Sequence, residues 1–144
     1  MRLTLHTDYG IRLLIYLDMH RDRLVTTSEV ADAYGISRNH LVKIAQHLTE
    51  LDYVASVRGR NGGLRLSRDP SEVTLGEVVR KLEANSLLIE CFDPTTNTCP
   101  IAPICGLTGI LRDAQEAFFK VLDGYTIRQV SPTPGAFEAL GLST

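Results

Sequence analysis

The chain has 144 residues, of which 44% are hydrophobic and 22% charged, and its formal net charge is −2. These totals are ordinary for a soluble globular protein and allow one domain, or one small domain with an appendage. No apolar run approaches the ~18 residues of a membrane span, and the N-terminus lacks an apolar signal sequence, so we expect a cytoplasmic protein without a membrane partner.

The charges are divided unevenly along the chain. Residues 1–70 hold ten Lys/Arg and eight Asp/Glu, whereas residues 71–144 hold five and nine. Residues 37–68 contain six basic and two acidic residues, which gives a net charge of +4. A basic segment on an otherwise acidic chain indicates a local phosphate-binding face.

Three helices are predicted in the first third of the chain. Helical spacing of apolar residues predicts the first helix over about residues 7–19. The capping-box pattern of Thr26 and Glu29 predicts a short second helix, which Gly35 ends. Ser37 is then placed to cap a third helix. The apolar residues that repeat at helical spacing in the third helix are Leu41, Ile44, Ala45, Leu48 and Leu51.

Residues 53–70, YVASVRGRNGGLRLSRDP, predict a basic β-hairpin. The first strand covers residues 54–57, the turn is supplied by residues 61–63, and residues 64–67 alternate apolar and polar side chains. The order of helix, short helix, glycine turn, helix and basic hairpin is that of a winged helix–turn–helix. The predicted fold class is therefore mainly α with a small β-hairpin.

This order of elements predicts a DNA-binding surface. The third helix of such a fold enters the major groove, and the hairpin reaches phosphates or a minor groove. Arg and Asn have the geometries that pair with guanine and adenine. Each fragment alone is also compatible with a solvated helix start or turn, and some winged helices bind only protein. The predicted DNA-binding residues are Ser37, Arg38, Asn39, His40 and Lys43 in the recognition helix, and Arg58, Arg60 and Asn61 in the hairpin.

The second half of the chain predicts two further helices and a tail. One begins at the capping-box pattern of Thr74 and Glu77, and an apolar stripe about four turns long follows over residues 107–122. We predict that the stripe forms a homodimer, since regulators of this type bind DNA as two-fold dimers. Packing on its own domain is the alternative. The predicted units are residues 1–70 (DNA-binding domain), 71–130 (cysteine loop and dimerisation helix) and 131–144 (a poorly ordered tail).

All three cysteines lie in ECFDPTTNTCPIAPICGL, residues 90–107, at Cys91, Cys99 and Cys105. In a reducing compartment, clustered cysteines indicate metal or redox chemistry rather than disulfides. Zinc fingers favour gaps of about two to four residues. The gaps here contain seven and five residues, which favours an iron–sulfur cluster, whose irons are separated, over a single ion. Three separately buried thiols are the alternative.

A cluster with three thiolates lacks one ligand. Glu90 and Asp93 are local oxygen donors, and His6 and Asp8 are candidates from the N-terminus of the same chain or of a dimer partner. The sequence pattern does not select among them. For Asp8 there is also a purely structural explanation, because a carboxylate in the first turn of a helix offsets the helix dipole by ~0.3–1 kcal/mol.

The motifs do not favour an enzyme. Nucleophilic catalysis by a cysteine needs a base within hydrogen-bond reach, and no histidine lies near the cysteines in sequence. The glycines of RGRNGG lie between strands rather than ahead of a helix, which is not the arrangement of a phosphate-binding loop. We therefore expect a regulator.

The segments MRLTLHTDYGIRLLIYL, SEVADAYGISRNHLVKIAQHL and VRGRNGGLRL, with the cysteine loop followed by LRDAQEAFFKVLDGYT, resemble the NsrR-type nitric-oxide-sensing repressors, which are relatives of IscR. The resemblance covers roughly residues 1–130. It implies a homodimeric winged-helix repressor that carries a 4Fe–4S cluster. Such a repressor binds palindromic operators of nitric-oxide detoxification genes and releases them when the cluster reacts with nitric oxide.

The resemblance also implies a ligand set. By position, the cluster ligands are Cys91, Cys99 and Cys105, with Asp8 supplied by the other subunit. The IscR-like branch has a histidine just after the third cysteine, and GLTGILRD contains none, which argues against that 2Fe–2S branch and leaves 2Fe–2S as a lesser or degraded form. A winged-helix regulator that senses iron, oxygen or redox state through the same cysteines is the alternative.

Overall fold

The computed structural model describes residues 2–133 and 135–141. It confirms the predicted class, because the elements are mainly helical and the sheet has two antiparallel strands, β1 and β2. Two 3₁₀ turns, Glu90–Phe92 and Ala102–Ile104, lie in the cysteine loop. The elements are α1 (Leu5–Met19), α2 (Thr27–Tyr34), α3 (Arg38–Glu50), β1 (Val54–Val57), β2 (Gly63–Leu66), α4 (Leu75–Leu82), α5 (Leu107–Asp123), α6 (Ile127–Val130) and α7 (Ala136–Ala139).

Local signals set the helix–turn–helix. The Thr26 hydroxyl accepts a hydrogen bond from the Glu29 N–H at 3.2 Å and caps α2. Gly35 ends α2 at φ +63°, in the left-handed region that favours glycine. Ser37 occupies the N-cap position of α3, but its side chain makes no capping hydrogen bond, contrary to the prediction. The Ser37 carbonyl instead accepts from the Leu41 N–H at 3.1 Å, so the backbone alone starts the helix.

One core joins the two halves of the chain. The fully buried residues Leu13 and Leu41 come from α1 and α3, and Val78 comes from α4. Ile127 of α6 is also buried, and its N–H donates to the Val73 carbonyl at 2.9 Å. Gly10 allows α1 and α4 to approach closely, because a Cβ there would lie 2.8 Å from Leu82 Cδ1. The core therefore fixes the position of α4, and of the cysteine loop that follows it, relative to the helix–turn–helix.

The hairpin differs from the prediction in the bounds of its turn. Val57 pairs with Gly63, so Gly63 belongs to β2 and the turn runs over residues 58–62. A Cβ on Gly62 would lie 2.2 Å from the Val57 carbonyl oxygen, which explains the requirement for glycine there. Arg58, Arg60 and Asn61 occupy this exposed turn.

Helix α5 lies against α4 and leaves much apolar surface uncovered. None of its residues is buried, and Ile110 and Val121 are 67% and 62% exposed. At its C-terminal end, the carboxylate of Asp123 accepts two hydrogen bonds from Arg80, both at 2.6 Å. Beyond it, α7 forms a single turn in the tail predicted to be poorly ordered. Residues 134 and 142–144 of that tail lie outside the described residues, so the prediction stays open, as do the predicted domain boundaries.

Candidate DNA-binding surface and cysteine site

Helix α3 turns its predicted reading residues to solvent. The opposite face of the helix is anchored by Leu41, Ile44 and Leu48, which are at most 2% exposed. This burial fixes the rotation of α3 about its own axis. The residues thereby exposed at the start of α3 include all five predicted in the recognition helix: Ser37, Arg38, Asn39, His40 and Lys43.

The cations of this surface are available to an external anion. Within residues 2–133 and 135–141, Arg38, Lys43, Arg58 and Arg60 form no ion pair with a carboxylate. Arg68 differs, because its guanidinium donates to Glu77 at 2.7 Å. Four cations on the recognition helix and the hairpin turn are therefore uncompensated, whereas Arg68 is committed to an internal pair.

The Arg68–Glu77 pair belongs to a hydrogen-bond network that connects the hairpin to α4. Tyr53 donates its hydroxyl hydrogen to Glu77 at 2.8 Å, and Lys81 also approaches this carboxylate, at 3.3 Å. Burial opposes ionisation of Glu77, but hydrogen bonds from Arg68 and Tyr53 outweigh it and hold the pKa of Glu77 below its usual value. Burial, followed by the bond to Glu77, raises the pKa of Tyr53. The charged carboxylate thus stabilises the base of the hairpin.

The first turn of α1 contacts the recognition helix through two histidines. His6 Nε2 lies 2.9 Å from His47 Nδ1, and the ring centroids are 5.1 Å apart. Burial, together with the neighbouring His47, lowers the pKa of His6. At the other end of α3, His40 and Lys43 line a groove of about 220 Å³ that also borders Tyr9 of α1. The N-terminal part of α1 therefore contacts the C-terminal end of the recognition helix and borders a groove at its N-terminal end.

Asp8 lies in the first turn of α1, as expected, and it is paired within its own chain. Arg12 donates to both carboxylate oxygens, at 3.1 and 2.8 Å. The Arg12 guanidinium lies 5.7 Å from the Tyr9 ring centroid and 5.9 Å from that of Tyr34. The side chains of Arg12 and Asp8 are 43% and 39% exposed. Exposed ion pairs at this helical spacing contribute only about 0.3–0.5 kcal/mol to stability. Asp8 can therefore exchange this partner at little cost.

The three cysteines are free thiols, each half-buried. Cys91 lies in the first 3₁₀ turn, and its Sγ is 3.2 Å from the Thr108 hydroxyl oxygen at the start of α5. Cys105 directly follows the second 3₁₀ turn. Among the described residues, no three His, Cys, Asp or Glu side chains are grouped closely enough to hold a metal ion. The structure thus places the cysteines in one loop without gathering them, or Asp8, into a closed ligand set.

The two local carboxylates are already used by the loop. Glu90 accepts hydrogen bonds from the Thr98 N–H and hydroxyl, which hold its pKa below the usual value. Asp93 accepts from the Thr95 hydroxyl and N–H, with the same effect on its pKa. The folding of the loop therefore uses both carboxylates, through exposed hydrogen bonds that the sequence did not reveal.

Two residues of this region, and the structural role of a third, were not predicted from the sequence. Arg12 was detectable, since a base four residues after an acid on a helix indicates an ion pair. His47 was not, because its partner His6 lies 41 residues away. Glu90 was considered only as a ligand, and its bond to Thr98 depends on the folding of the loop.

None of the helices formed by the described residues is long and apolar enough to cross a membrane.

Comparison with known proteins extends over almost the whole chain. The sequence profile of Rrf2, described as an iron-dependent transcriptional regulator, matches residues 3–133. The HTH-type transcriptional regulator NsrR of Bacillus subtilis is 46% identical over 131 residues, which are 90% of each chain. Protein aau3 of Rhizobium meliloti is 47% identical over 127 residues, covering 88% of this chain and 82% of that protein.

Solved structures share the fold. IscR of T. potens superposes with a TM-score of 0.71 at 22% identity, covering 90% of this chain and 85% of that one. The oxidised form of Staphylococcus aureus CymR gives 0.71 at 23% identity, covering 91% and 96%. At these identities the likeness supports the winged-helix fold alone.

The sequence relatives carry the conclusion about function. The Rrf2 family and the relatives named NsrR are transcriptional regulators, which confirms the prediction that the chain is not an enzyme. Relatives named NsrR at 42% to 46% identity also confirm the resemblance stated from the motifs. The exposed, uncompensated cations of α3 and the hairpin are what such a regulator needs for DNA. The chain is therefore a DNA-binding transcriptional regulator that belongs to the Rrf2 family.

Proposed function

We propose that this regulator is a homodimeric repressor that senses nitric oxide through a 4Fe–4S cluster. The cluster ligands are Cys91, Cys99 and Cys105 of one subunit and Asp8 of the partner subunit. The observation that carries the proposal is the state of the cysteine loop, in which three half-buried thiols are free while both local carboxylates are engaged. The nitric-oxide signal is inferred from the resemblance to the NsrR-type repressors, and a relative with that name is 46% identical. The cytoplasmic location remains a prediction.

The donor set suits the cluster. Thiolates are the soft ligands that iron–sulfur clusters select, and the loop offers three of them without a disulfide. A bound 4Fe–4S cluster would supply iron atoms that react with nitric oxide. The chain's own part is to hold three thiolates in place and to bring a fourth ligand from elsewhere.

Asp8 is the fourth ligand that the resemblance to the NsrR-type repressors implies. Glu90 and Asp93 are held by threonines of the loop, and His6 is bonded to His47. Asp8 is held only by an exposed pair with Arg12. A carboxylate is also a harder, weaker ligand for iron than a thiolate, and it leaves one iron easier to reach for a small molecule.

The apolar face of α5 supports a dimer. Leu107, Ile110 and Val121 are more than half exposed along one helix of 17 residues. Exposed apolar patches of this kind mark sites of protein association. In a two-fold dimer the same surface of each subunit meets its copy. A second α5 is therefore the partner proposed for this face, and it brings the two recognition helices to half-sites of a palindromic operator.

Loss of the fourth ligand has a short route to the DNA. Asp8 lies on the same helical turn as His6. The His6 ring forms a hydrogen bond of 2.9 Å with His47 of the recognition helix. A shift in this turn therefore displaces α3. Because a dimer reads two half-sites about one helical turn apart, a small change in the spacing of its reading helices lowers its affinity. Release of the operators of nitric-oxide detoxification genes follows from this change.

The proposal is tested by purification without oxygen. The protein is expected to be brown, with iron and sulfide bound, and nitric oxide should bleach it while releasing operator DNA. Asp8→Ala is expected to assemble a less stable cluster, with Asp22→Ala, an exposed carboxylate in the turn after α1, as the matched control. A colourless protein after anaerobic reconstitution, or operator binding that ignores nitric oxide, contradicts the proposal.

A second candidate function is sensing of iron, oxygen or redox state through the same cysteines. It is favoured by the description of the family as iron-dependent. The two candidates differ in the signal. An iron or oxygen sensor should release DNA on iron withdrawal or on exposure to air, under conditions in which nitric oxide has no effect. A nitric-oxide sensor should release DNA with nitric oxide, under conditions in which iron withdrawal or air has no effect.

A further inference from the structure

The seven-residue gap between the first two cysteines is closed at its base by one side chain. Glu90 directly precedes Cys91, and Thr98 directly precedes Cys99. The Glu90 carboxylate accepts from the Thr98 N–H at 2.5 Å and from the Thr98 hydroxyl at 2.6 Å, both on the same oxygen. The residues next to the two cysteines are therefore bonded to each other, which limits how far the cysteines can separate.

The interior of the gap is folded by further hydrogen bonds. The Asp93 carboxylate accepts from Thr95 at 2.6 and 2.8 Å, and the Asp93 carbonyl accepts from the Asn97 N–H at 3.1 Å. The Asn97 side-chain oxygen accepts from the Cys99 N–H at 3.0 Å. The series of bonds thus ends on the backbone of the second cysteine and fixes its orientation.

Cys91 is also held relative to the third cysteine. Its Sγ lies 3.2 Å from the hydroxyl of Thr108, in the first turn of α5 and three residues beyond Cys105. Cys91 is therefore the member of the set connected on both sides, through Glu90 to the segment of Cys99 and through Thr108 to the segment of Cys105.

We propose that Glu90 is a positioning residue for the three-thiolate site and not one of its ligands. Its carboxylate sets the separation of Cys91 and Cys99 before any cofactor binds, which reduces the ordering that binding requires. The inference rests on the proposed function, because it assigns Glu90 a role in the same cysteine site.

The first test compares cluster retention among three loop variants and one control. Glu90→Ala removes the acceptor, Glu90→Gln keeps an oxygen that accepts from Thr98, and Thr98→Val keeps the N–H but removes the hydroxyl. Glu72→Ala, an exposed carboxylate between β2 and α4, is the matched control. Cluster loss is followed anaerobically by visible absorbance and circular dichroism after addition of a chelator.

We expect Glu90→Ala to lose its cluster about tenfold faster or more, as for other residues that orient ligands from outside the ligand set. Thr98→Val should fall between Glu90→Ala and the wild type, and Glu90→Gln and Glu72→Ala should match the wild type. Retention of the cluster by Glu90→Ala at the wild-type rate overturns the proposal. So does failure of Glu90→Gln to restore retention.

A second test does not depend on iron. Phenylarsine oxide, which bonds two neighbouring thiols, is titrated into the reduced, metal-free protein, and the captured cysteines are identified by mass spectrometry. The wild type and Glu90→Gln should capture it through Cys91 and Cys99, and Glu90→Ala should capture it more weakly. If capture depends on Glu90 but the wild type assembles no cluster, the proposed function fails and the positioning role stands. If Glu90→Ala captures as well as the wild type, the positioning role fails.

Discussion

Replacement of Arg60 by alanine tests the contribution of the hairpin to DNA binding. Arg60 lies in the exposed turn between β1 and β2 and has no carboxylate partner among the described residues. Each phosphate contact contributes about 0.9 to the slope of log affinity against log salt concentration, so a dimer that uses two hairpins should lose about 1.8. Between about 50 and 200 mM salt, this difference in slope corresponds to a roughly tenfold difference in affinity.

Because phosphate contacts do not depend on sequence, a random-sequence duplex is a sufficient probe. Fluorescence anisotropy over a series of salt concentrations gives the slope for the wild type and for Arg60→Ala. Arg68→Ala is the matched control, since Arg68 follows the same hairpin but its charge is committed to Glu77. It should lower the free energy of unfolding while leaving the slope unchanged. An unchanged slope in Arg60→Ala, or an equal loss in both variants, refutes the reasoning.

Three further outcomes are expected. Arg128→Ala should lower the free energy of unfolding by about 3 kcal/mol, as measured by urea denaturation. The reason is that the fully buried Asp18 carboxylate pairs with Arg128 at 2.9 Å. Replacement of both residues with leucine should recover part of the loss. The pKa of Glu77 is lowered in the folded state, so its contribution to stability is present above the unfolded value of about 4.5 and is lost as the pH falls through the folded value. Glu77→Gln should accordingly flatten the acid limb of stability against pH. His47→Phe should keep the cluster, as judged by absorbance, but reduce the difference in operator affinity between loaded and metal-free protein by about 1 kcal/mol.

The winged helix was predictable because its signals are local. Apolar spacing located α3, Gly35 marked the end of α2, and a basic, glycine-containing turn marked the hairpin. The errors are also local in origin. The Ser37 hydroxyl was expected to cap α3, yet the backbone carbonyl starts the helix, and Gly63 was placed in the turn although it pairs with Val57. Propensity at single positions does not decide between such neighbouring alternatives.

The contacts between helices that are distant in sequence were not predictable from the sequence. His6 and His47 are 41 residues apart, and Arg80 and Asp123 are 43 apart. Pairs at such separations depend on how the core orients whole helices, and no local pattern records that orientation. The composition of the cysteine loop predicted thiolate chemistry. The hydrogen bond between Glu90 and Thr98 became visible only in the folded loop.

One helical turn at the start of α1 contacts both the recognition helix and the end of α4. Thr4, its N-cap, donates its N–H and hydroxyl hydrogen to Glu83 at the end of α4, at 2.8 and 2.9 Å. Glu83 in turn precedes the segment that leads to the cysteine loop. On the same turn, His6 forms a hydrogen bond of 2.9 Å with His47 of the recognition helix. Asp8, the candidate ligand, also lies on this turn. If Asp8 is a cluster ligand, as proposed, a change at Asp8 would act on a turn that is hydrogen-bonded to the recognition helix and to the end of α4, and this would couple the cysteine site to DNA without rearrangement of the buried core.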